Sequence, residues 1–296
     1  MLSVLIPVYN YDVRALVNSL HEQLISNRID FEIICQDDLS KKEIRILNTE
    51  IEQLQYSSYY LSNENLGRIA TRQGLAEKAK YDWLLFLDAD VMPVSLHFIK
   101  NYIAYFSSEA KAIYGGIAYE TTTPKDDFKL RWTYGKAKEQ LPAANRNHNI
   151  YKHIVSANFL IQKSVFTSIN SQIKLKGYGY DNYFGSLLKQ DQVTVMHIDN
   201  EVYHLGLETS KIYLSKVKEA IDTLLKLNTE CLLSQTDNSL LNTFKTSKKW
   251  KLNYLFSWIY KRFNPVFERH LLGQNPSVFY LQCYKLSYIC YQDLNS

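Results

Sequence analysis

Cysteine is scarce in this chain, and what there is forms no pattern. Cys35, Cys231, Cys283 and Cys290 lack the paired spacing that binds zinc or builds a redox motif. Cys35 closes an apolar run, and Cys283 and Cys290 share one helical face. All four are expected as buried, small apolar groups in a reduced compartment. Glycine is missing from the first strand-to-helix loop, Pro7 to Tyr11. That argues against the Gly-rich phosphate loop of a sugar-phosphate nucleotidyltransferase. No leader pattern is visible, because a strand-like apolar run begins at residue 2, so the expected location is the cytoplasm. The C-terminal apolar runs fall short of the ~18 to 20 uninterrupted residues that a spanning helix needs. Charge of one sign does not dominate either. The net charge is +4, but residues 241–296 hold eight Lys/Arg against two Asp/Glu, which leaves −2 for the remainder. No recognised RNA or DNA module accompanies that basic tail, so a nucleic-acid partner is not expected.

What the chain does have is a series of buried-strand patterns, each stopping at polar residues. Trp83-Leu84-Leu85-Phe86-Leu87 is a continuous apolar run that ends at Asp88-Ala89-Asp90. Leu2 to Val8 is another, closed by Tyr9 and Asn10, and Phe31 to Cys35 a third, ending in Gln36-Asp37-Asp38. Continuous rather than alternating hydrophobicity means burial on both faces, the mark of a central parallel strand. Helical patterns fall between the runs, from Asp12 to Asn27 and around Lys41 to Leu54. A further strand is expected over Tyr56 to Leu61, and Asn65-Leu66-Gly67 opens a helix through Arg68, Arg72 and Lys78. The alternation predicts an open α/β sheet whose ligands collect beyond the carboxyl ends of its strands. Two carboxylates at that position suit a hard divalent cation that takes its other ligands from water and phosphate. An Asp at a strand end also commonly caps the helix that follows.

Five ordered motifs together resemble the family 2 glycosyltransferases of GT-A fold. They are Ser3 to Asn10, Asp37-Asp38, the Asn65 to Ala79 helix, Leu87-Asp88-Ala89-Asp90, and Gly177-Tyr178-Gly179-Tyr180-Asp181. Within that family the chain is most similar to a bacterial subgroup, through Leu130-Arg131-Trp132-x-Tyr134-Gly135, Asn158 to Ile161 and His197 to Glu208. The resemblance implies a Rossmann-like, mostly parallel sheet flanked by helices over residues 1–225, with a C-terminal helical extension over 226–296. Residues 1–115 would form the nucleotide-sugar half and 116–225 the acceptor half.

The resemblance also implies an activity. A sugar would pass with inversion from a nucleotide-diphosphate donor, a UDP-sugar above all, to a hydroxyl on a glycan, polysaccharide or lipid-linked acceptor. Mn²⁺ or Mg²⁺ would neutralise the leaving diphosphate. By similarity Asp90 ligates the cation and Asp88 faces the ribose or the metal's water shell. Asp38 hydrogen-bonds the base, above a floor of Pro7 and Tyr9. His204 completes the metal shell or remains a structural residue near a strand end. Arg68 and Arg72 lie on one helical face, either reaching a phosphate or simply solvated, and Arg68 is favoured because it sits in the first turn, where anions are attracted. Asp181 is the candidate base, or a cap for the helix running to Lys189. The usual family signature places a second acid beside it, and here Asn182 stands there. That departure motivates an alternative, a nucleotide-sugar binding protein without turnover.

Three further segments carry expectations. Lys125 to Asn149 should begin as a helix at Asp126 and relax into a loop around residues 141–149, as a lid or as a surface connection. Ile154 to Ile161 should return as a strand, bringing Asn158 to the acceptor with both its amide oxygen and nitrogen available. In the tail, Leu252, Leu255, Phe256, Ile259 and Phe263 fall on one helical side. Trp250, Tyr254 and Trp258 recur on a second, with Lys249, Lys251, Lys261 and Arg262 between, and Pro265 as the stop. Such a helix is either packed twice or lies in a membrane interface, and residues 245–291 admit both readings, the latter on the inner face of the cytoplasmic membrane.

Overall fold

The computed structural model describes residues 1–174, 177–233 and 237–295. The chain divides into two compact units. The first comprises Met1–Ala118, Leu141–Lys176 and Asp191–Gly206, and the second Tyr119–Gln140, Gly177–Gln190 and Leu207–Ser296.

The first unit begins with strands and helices in alternation: β1 (Leu2–Val8), α1 (Arg14–Asn27), β2 (Phe31–Asp37), α2 (Lys42–Asn48), β3 (Ser57–Leu61), α3 (Arg68–Lys78) and β4 (Trp83–Leu87). After β5 (Val91–Pro93), α4 (Phe98–Ile103), β6 (Ala112–Tyr114) and β7 (Ile117–Ala118), the chain leaves for α5 (Lys129–Lys138) of the second unit. It returns through α6 (Ala143–Asn147), β8 (Asn158–Gln162) and α7 (Lys163–Asn170). A second departure carries α8 (Asp181–Gln190), before β9 (Val195–His197) and β10 (Val202–His204) complete the first unit.

The main sheet has the order β3-β2-β1-β4-β8-β6-β9. Its first four strands are parallel, and β8 runs antiparallel to both β4 and β6. The continuous apolar runs are its centre, as their pattern predicted. Leu2, Val4, Leu5, Ile6 and Val8 have no exposed surface, and every residue of β4 is buried. Phe86, Phe159, Phe166 and Tyr114 form a ring cluster across β4, β8, α7 and β6, with Phe86 and Phe159 stacked at 5.0 Å. A small second sheet, β5-β10-β7, sets His204 opposite Val91, one residue beyond Asp90.

Several boundaries differ from the sequence reading for local reasons. The first helix starts at Arg14 rather than Asp12, because the Asp12 carboxylate accepts from the Arg14 N–H (3.1 Å) and ends the loop there. The strand expected over 154–161 is confined to Asn158–Gln162. Residues 143–147 are helical where a loop was expected. The Arg146 side chain explains this. It is buried, and it donates to the carbonyls of Leu141 (2.9 Å), Tyr114 (3.0 Å) and Ile198 (2.7 Å) and contacts Nδ1 of His197 (3.1 Å). Ala143 N–H also donates to Asp199 (2.6 Å). This half of the expected lid is therefore fastened to the strands beneath it.

The second unit is helical, built from α5, α8, α9 (Ser210–Thr229), α10 (Ser239–Lys249), α11 (Asn253–Leu271) and α12 (Val278–Asn295). Buried Arg131 pairs with Glu139 (2.9 Å) and lies over the rings of Tyr119 (5.4 Å) and Tyr213 (5.2 Å). A buried cation needs such a counter-ion, since desolvation would otherwise expel it. Two tail expectations are corrected. Pro265 does not stop α11 but lies inside it. It sits on an exposed face beside exposed Lys261, so water can satisfy the carbonyl that the missing N–H leaves unpaired. Cys231, expected buried, is exposed, while Cys35 and Cys290 are buried and Cys283 is half-buried. Among the described residues no helix is long and apolar enough to cross a membrane.

Candidate active site

At the carboxyl end of β4 the chain turns through Asp88-Ala89-Asp90 into β5. Leu205 and Gly206 N–H donate to the Asp90 backbone carbonyl at 2.9 and 3.3 Å, tying the residues after β10 to this turn. The same register brings His204 Nε2 to 3.4 Å from Asp90 Oδ2. Gly206 packs so closely that a Cβ there would stand 2.2 Å from Asp90 Oδ2 and 2.7 Å from its Cγ. Only a residue without a side chain fits against the carboxylate. Tyr11 lies near enough that its hydroxyl pKa is raised, by burial first and then by the charges of Asp90 and Asp12.

Asp90 and His204 fit a divalent cation. Their donor atoms are a hard oxygen and an imidazole nitrogen, at a separation that one ion can bridge, and the pair suits Mn²⁺ better than an all-oxygen set would. Among the described residues no cluster of three or more His, Cys, Asp or Glu could hold a metal, so the remaining positions would fall to water and phosphate. Asp88, expected beside Asp90 as a ligand, is placed otherwise. Its Oδ1 accepts a short hydrogen bond from Arg72 Nη2, and its N–H donates to Ala157 O (3.1 Å). The reason is the burial of Arg72, whose guanidinium needs a counter-ion and takes this one. Arg72 Nη2 also reaches Ser156 O (3.4 Å), while its buried Nε meets no acceptor among the described residues. The favoured Arg68 is exposed in the first turn of α3, so the structure exchanges the two arginines relative to the sequence reading.

The pair after β2 splits into two roles. Asp37 is fully buried and accepts from Ser40 N–H (2.7 Å) and Tyr59 OH (2.6 Å), which is the capping turn considered from sequence. Asp38, expected against the base, accepts from Leu66 N–H (2.6 Å) and Gly67 N–H (2.8 Å) and so holds the loop that opens α3. Pro7 is half-buried near the end of β1, and Tyr9, just past that end, is exposed.

Asn158 is a correction. It was expected to offer its amide to an acceptor, but it is only 2% exposed and its amide is spent on the fold. Tyr102 OH donates to its Oδ1 (2.7 Å), and its Nδ2 donates to the carbonyls of Gly116 and Asn200 (both 2.9 Å). His197 is structural as well. Burial, with Arg146 beside it, pushes its pKa down to about 4, although the hydrogen bond to the Ile150 carbonyl (2.8 Å) opposes the shift.

In the second unit, Asp181 is the first residue of α8 and is half-buried. Gly179 precedes it with φ +95°, a conformation that a side chain disfavours, and a Cβ there would meet Ala220 at 3.0 Å. That close packing on α9 fixes the entry to α8. Asn182, which stands where the second acid was expected, is exposed, and its Oδ1 accepts from Asn238 Nδ2 (3.0 Å). Sequence reasoning missed Arg72, Tyr11 and Gly206. Only the i, i+4 spacing of the two arginines gave any signal, because what marks the others is proximity across β5 and β10.

Known proteins share this arrangement. An uncharacterized glycosyltransferase of Haemophilus influenzae is 39% identical over 93 residues, which span 30% of this chain and 29% of that relative. The N-terminal part of S. aureus TarS, crystallised with UDP, superposes with a TM-score of 0.50 at 14% identity, over 99% of this chain and 91% of that one. Against a longer TarS chain the match spans 44% of its length. Glucosyl-3-phosphoglycerate synthase of Mycobacterium tuberculosis, in complex with Mn²⁺, UDP and glucosyl-3-phosphoglycerate, gives a TM-score of 0.50 at 14% identity, covering 76% of this chain and 79% of the synthase. At such identities the likeness is one of fold, the GT-A fold. The sequence model of glycosyl transferase family 2 matches residues 3–169, more than half the chain, and the protein belongs to that family.

Proposed function

We propose that this protein transfers a sugar from a UDP-sugar to a hydroxyl acceptor, with inversion and with a divalent cation bound. The observation that carries this is the Asp90 carboxylate, braced by Gly206 and set 3.4 Å from His204 Nε2 at the carboxyl end of β4 in a family 2 chain. Asp90 and His204 would hold Mn²⁺ or Mg²⁺, which when bound neutralises charge on the leaving diphosphate. The solved relatives that bind UDP, one of them with Mn²⁺, support this choice of donor and ion.

The chain's own groups supply the rest. Asp88, oriented by Arg72, faces the ribose. Asp38 contributes by fastening the loop at Leu66 and Gly67, and Pro7 with Tyr9 forms the floor beneath the base. Arg68, exposed at the start of α3, attracts the phosphates together with the helix N-terminus. Asp181 accepts the proton from the attacking acceptor hydroxyl as the new glycosidic bond forms on the opposite face of the sugar from the departing UDP. The acceptor is a glycan, polysaccharide or lipid-linked saccharide, and the enzyme works in the cytoplasm.

The test has two parts. A panel of nucleotide sugars with and without Mn²⁺ should raise the melting temperature for a UDP-sugar only when the ion is present, because a ligand of the folded state stabilises it. Asp90→Ala should abolish that rise, and an equal rise in the variant sinks the reading. Asp181→Asn should bind donor normally yet lose turnover by about 10²-fold or more. The second reading, a binding protein without turnover, rests on Asn182 being engaged with Asn238 in place of an acid. It is supported if the parent binds UDP-sugar but transfers to no hydroxyl acceptor.

A further inference from the structure

Helix α11 has two apolar sides, and its contacts separate them. Ser257, Tyr260 and Leu271 are buried, and the Tyr260 ring meets those of Tyr284 (5.7 Å), Tyr288 (5.2 Å) and Tyr291 (4.9 Å) on α12. The other side is exposed. Tyr254 is 63% and Trp258 54% exposed, and Leu255 and Val266 are likewise in solvent. Arg262 continues the four-residue row of Tyr254 and Trp258, and Lys261, Pro265 and Arg269 are exposed beside it. The corner that precedes the helix adds Trp250, 69% exposed, with exposed Lys251 and Leu252.

The charges on this stretch have one sign. Residues 239–271 contain seven Lys/Arg and a single acid, Glu268. That acid is already engaged, by Lys218 Nζ (2.9 Å) and Tyr284 OH (3.2 Å). A second copy docking the same face would set cation against cation across a two-fold axis, which disfavours self-association. Nucleic acid would meet the cations and rings but would leave Leu255 and Val266 without an apolar partner. An anionic bilayer satisfies all three kinds of side chain. Trp and Tyr settle at headgroup depth, the aliphatic groups reach the acyl boundary, and Lys and Arg meet lipid phosphates.

We propose that the exposed face of α11, with the Trp250 corner, is a docking surface for an anionic membrane, on which the protein lies peripherally. This resolves the two alternatives of the sequence reading by assigning one apolar side to each: packing on α12 and contact with lipid. It stands independently of the catalytic reading.

The test is vesicle flotation with the full chain, using phosphatidylcholine vesicles and vesicles of equal parts phosphatidylcholine and phosphatidylglycerol. The parent should float with the anionic vesicles only, and the bound fraction should fall as salt is raised. Lys261→Glu with Arg262→Glu should weaken binding at least about 25-fold, since each cation near such a surface contributes roughly a factor of five. Tyr254→Ser with Trp258→Ser should weaken it at least about tenfold, through lost apolar burial. These side chains are exposed, so circular dichroism melting of both variants should match the parent, and donor binding should be unchanged. The inference is overturned if the parent ignores anionic vesicles at low salt, or if both double variants float as it does. It is equally overturned if light scattering shows a dimer that the aromatic variant dissolves, or if the parent binds single-stranded RNA and no vesicle.

Discussion

Gly206→Ala tests the geometry of the site without touching a candidate ligand. The added methyl would stand 2.2 Å from Asp90 Oδ2 and 2.6 Å from its Cβ, where ordinary contact begins at 3.4 Å. Either the carboxylate or the 205–206 backbone must therefore retreat by roughly 1 Å, since overlap of that depth lies on the steep repulsive wall. The backbone is the stiffer partner, because Leu205 and Gly206 N–H are bonded to Asp90 O and His204 is paired in β10. The carboxylate moves, and a displacement near 1 Å in a positioned group can cost about 10²-fold. The expected outcome is a fall of about 10²-fold in kcat/KM, with Mn²⁺-dependent UDP-sugar affinity in calorimetry reduced at least tenfold. The accompanying stability loss should be about 1 to 3 kcal/mol from overpacking. In an Asp90→Ala background the same substitution should change donor binding little, because its target is gone and the two effects share one cause. If Gly206→Ala binds donor and ion as the parent does, or if its effect persists in full without Asp90, the carboxylate is not what Gly206 protects.

Other outcomes follow from groups deeper in the fold. Asn158→Ala strands the Tyr102 hydroxyl and two carbonyls in the interior, and should cost about 3 kcal/mol in denaturant melts while leaving donor affinity of the folded protein unchanged. Arg72→Met leaves Asp88 without its counter-ion at a partly exposed position, and should cost about 2 kcal/mol and raise the KM for donor. His197 stays neutral in the folded protein down to about pH 4, against an ordinary value of 6.5. The unfolded chain therefore binds the extra proton between those values, and stability falls as pH drops through that window by about 3 kcal/mol in total. His197→Gln should flatten that part of the pH profile, and an unchanged slope would refute the assignment.

The parts of the molecule that were legible in the sequence are those where one physical cause dominates. Leu2 to Val8 and Trp83 to Leu87 read as central strands because burial on two faces leaves no room for polar alternation. The polar residues at their ends read as a site for the same reason, since loops are where polar groups can be spared. Asn158 was not legible, because an amide buried in a brace and an amide offered to a ligand are the same letters in a strand. Arg68 and Arg72 were separable only by which side of α3 meets the sheet. Pro265 reads as a terminator from its missing N–H, yet exposure to water let α11 pass through it. The Arg146 anchor turned an expected loop into a short helix through contacts 30 to 50 residues away in sequence, to Tyr114 and Ile198 among others, which no local pattern records.

The path of the chain between its two compact units has a practical consequence. The polypeptide passes from one to the other after Ala118, Gln140, Gln190 and Gly206, and again between α7 and α8. No single cut can liberate either body intact. Shortening the protein after residue 225 would sever α9 four residues before its end and strip α12 from Arg131's neighbourhood, leaving Tyr134 without the Lys285 ammonium 5.2 Å from its ring. The sheet-bearing body could be obtained alone only by splicing three separated stretches, so the helical body folds as an interleaved partner of the sheet and not as a detachable tail.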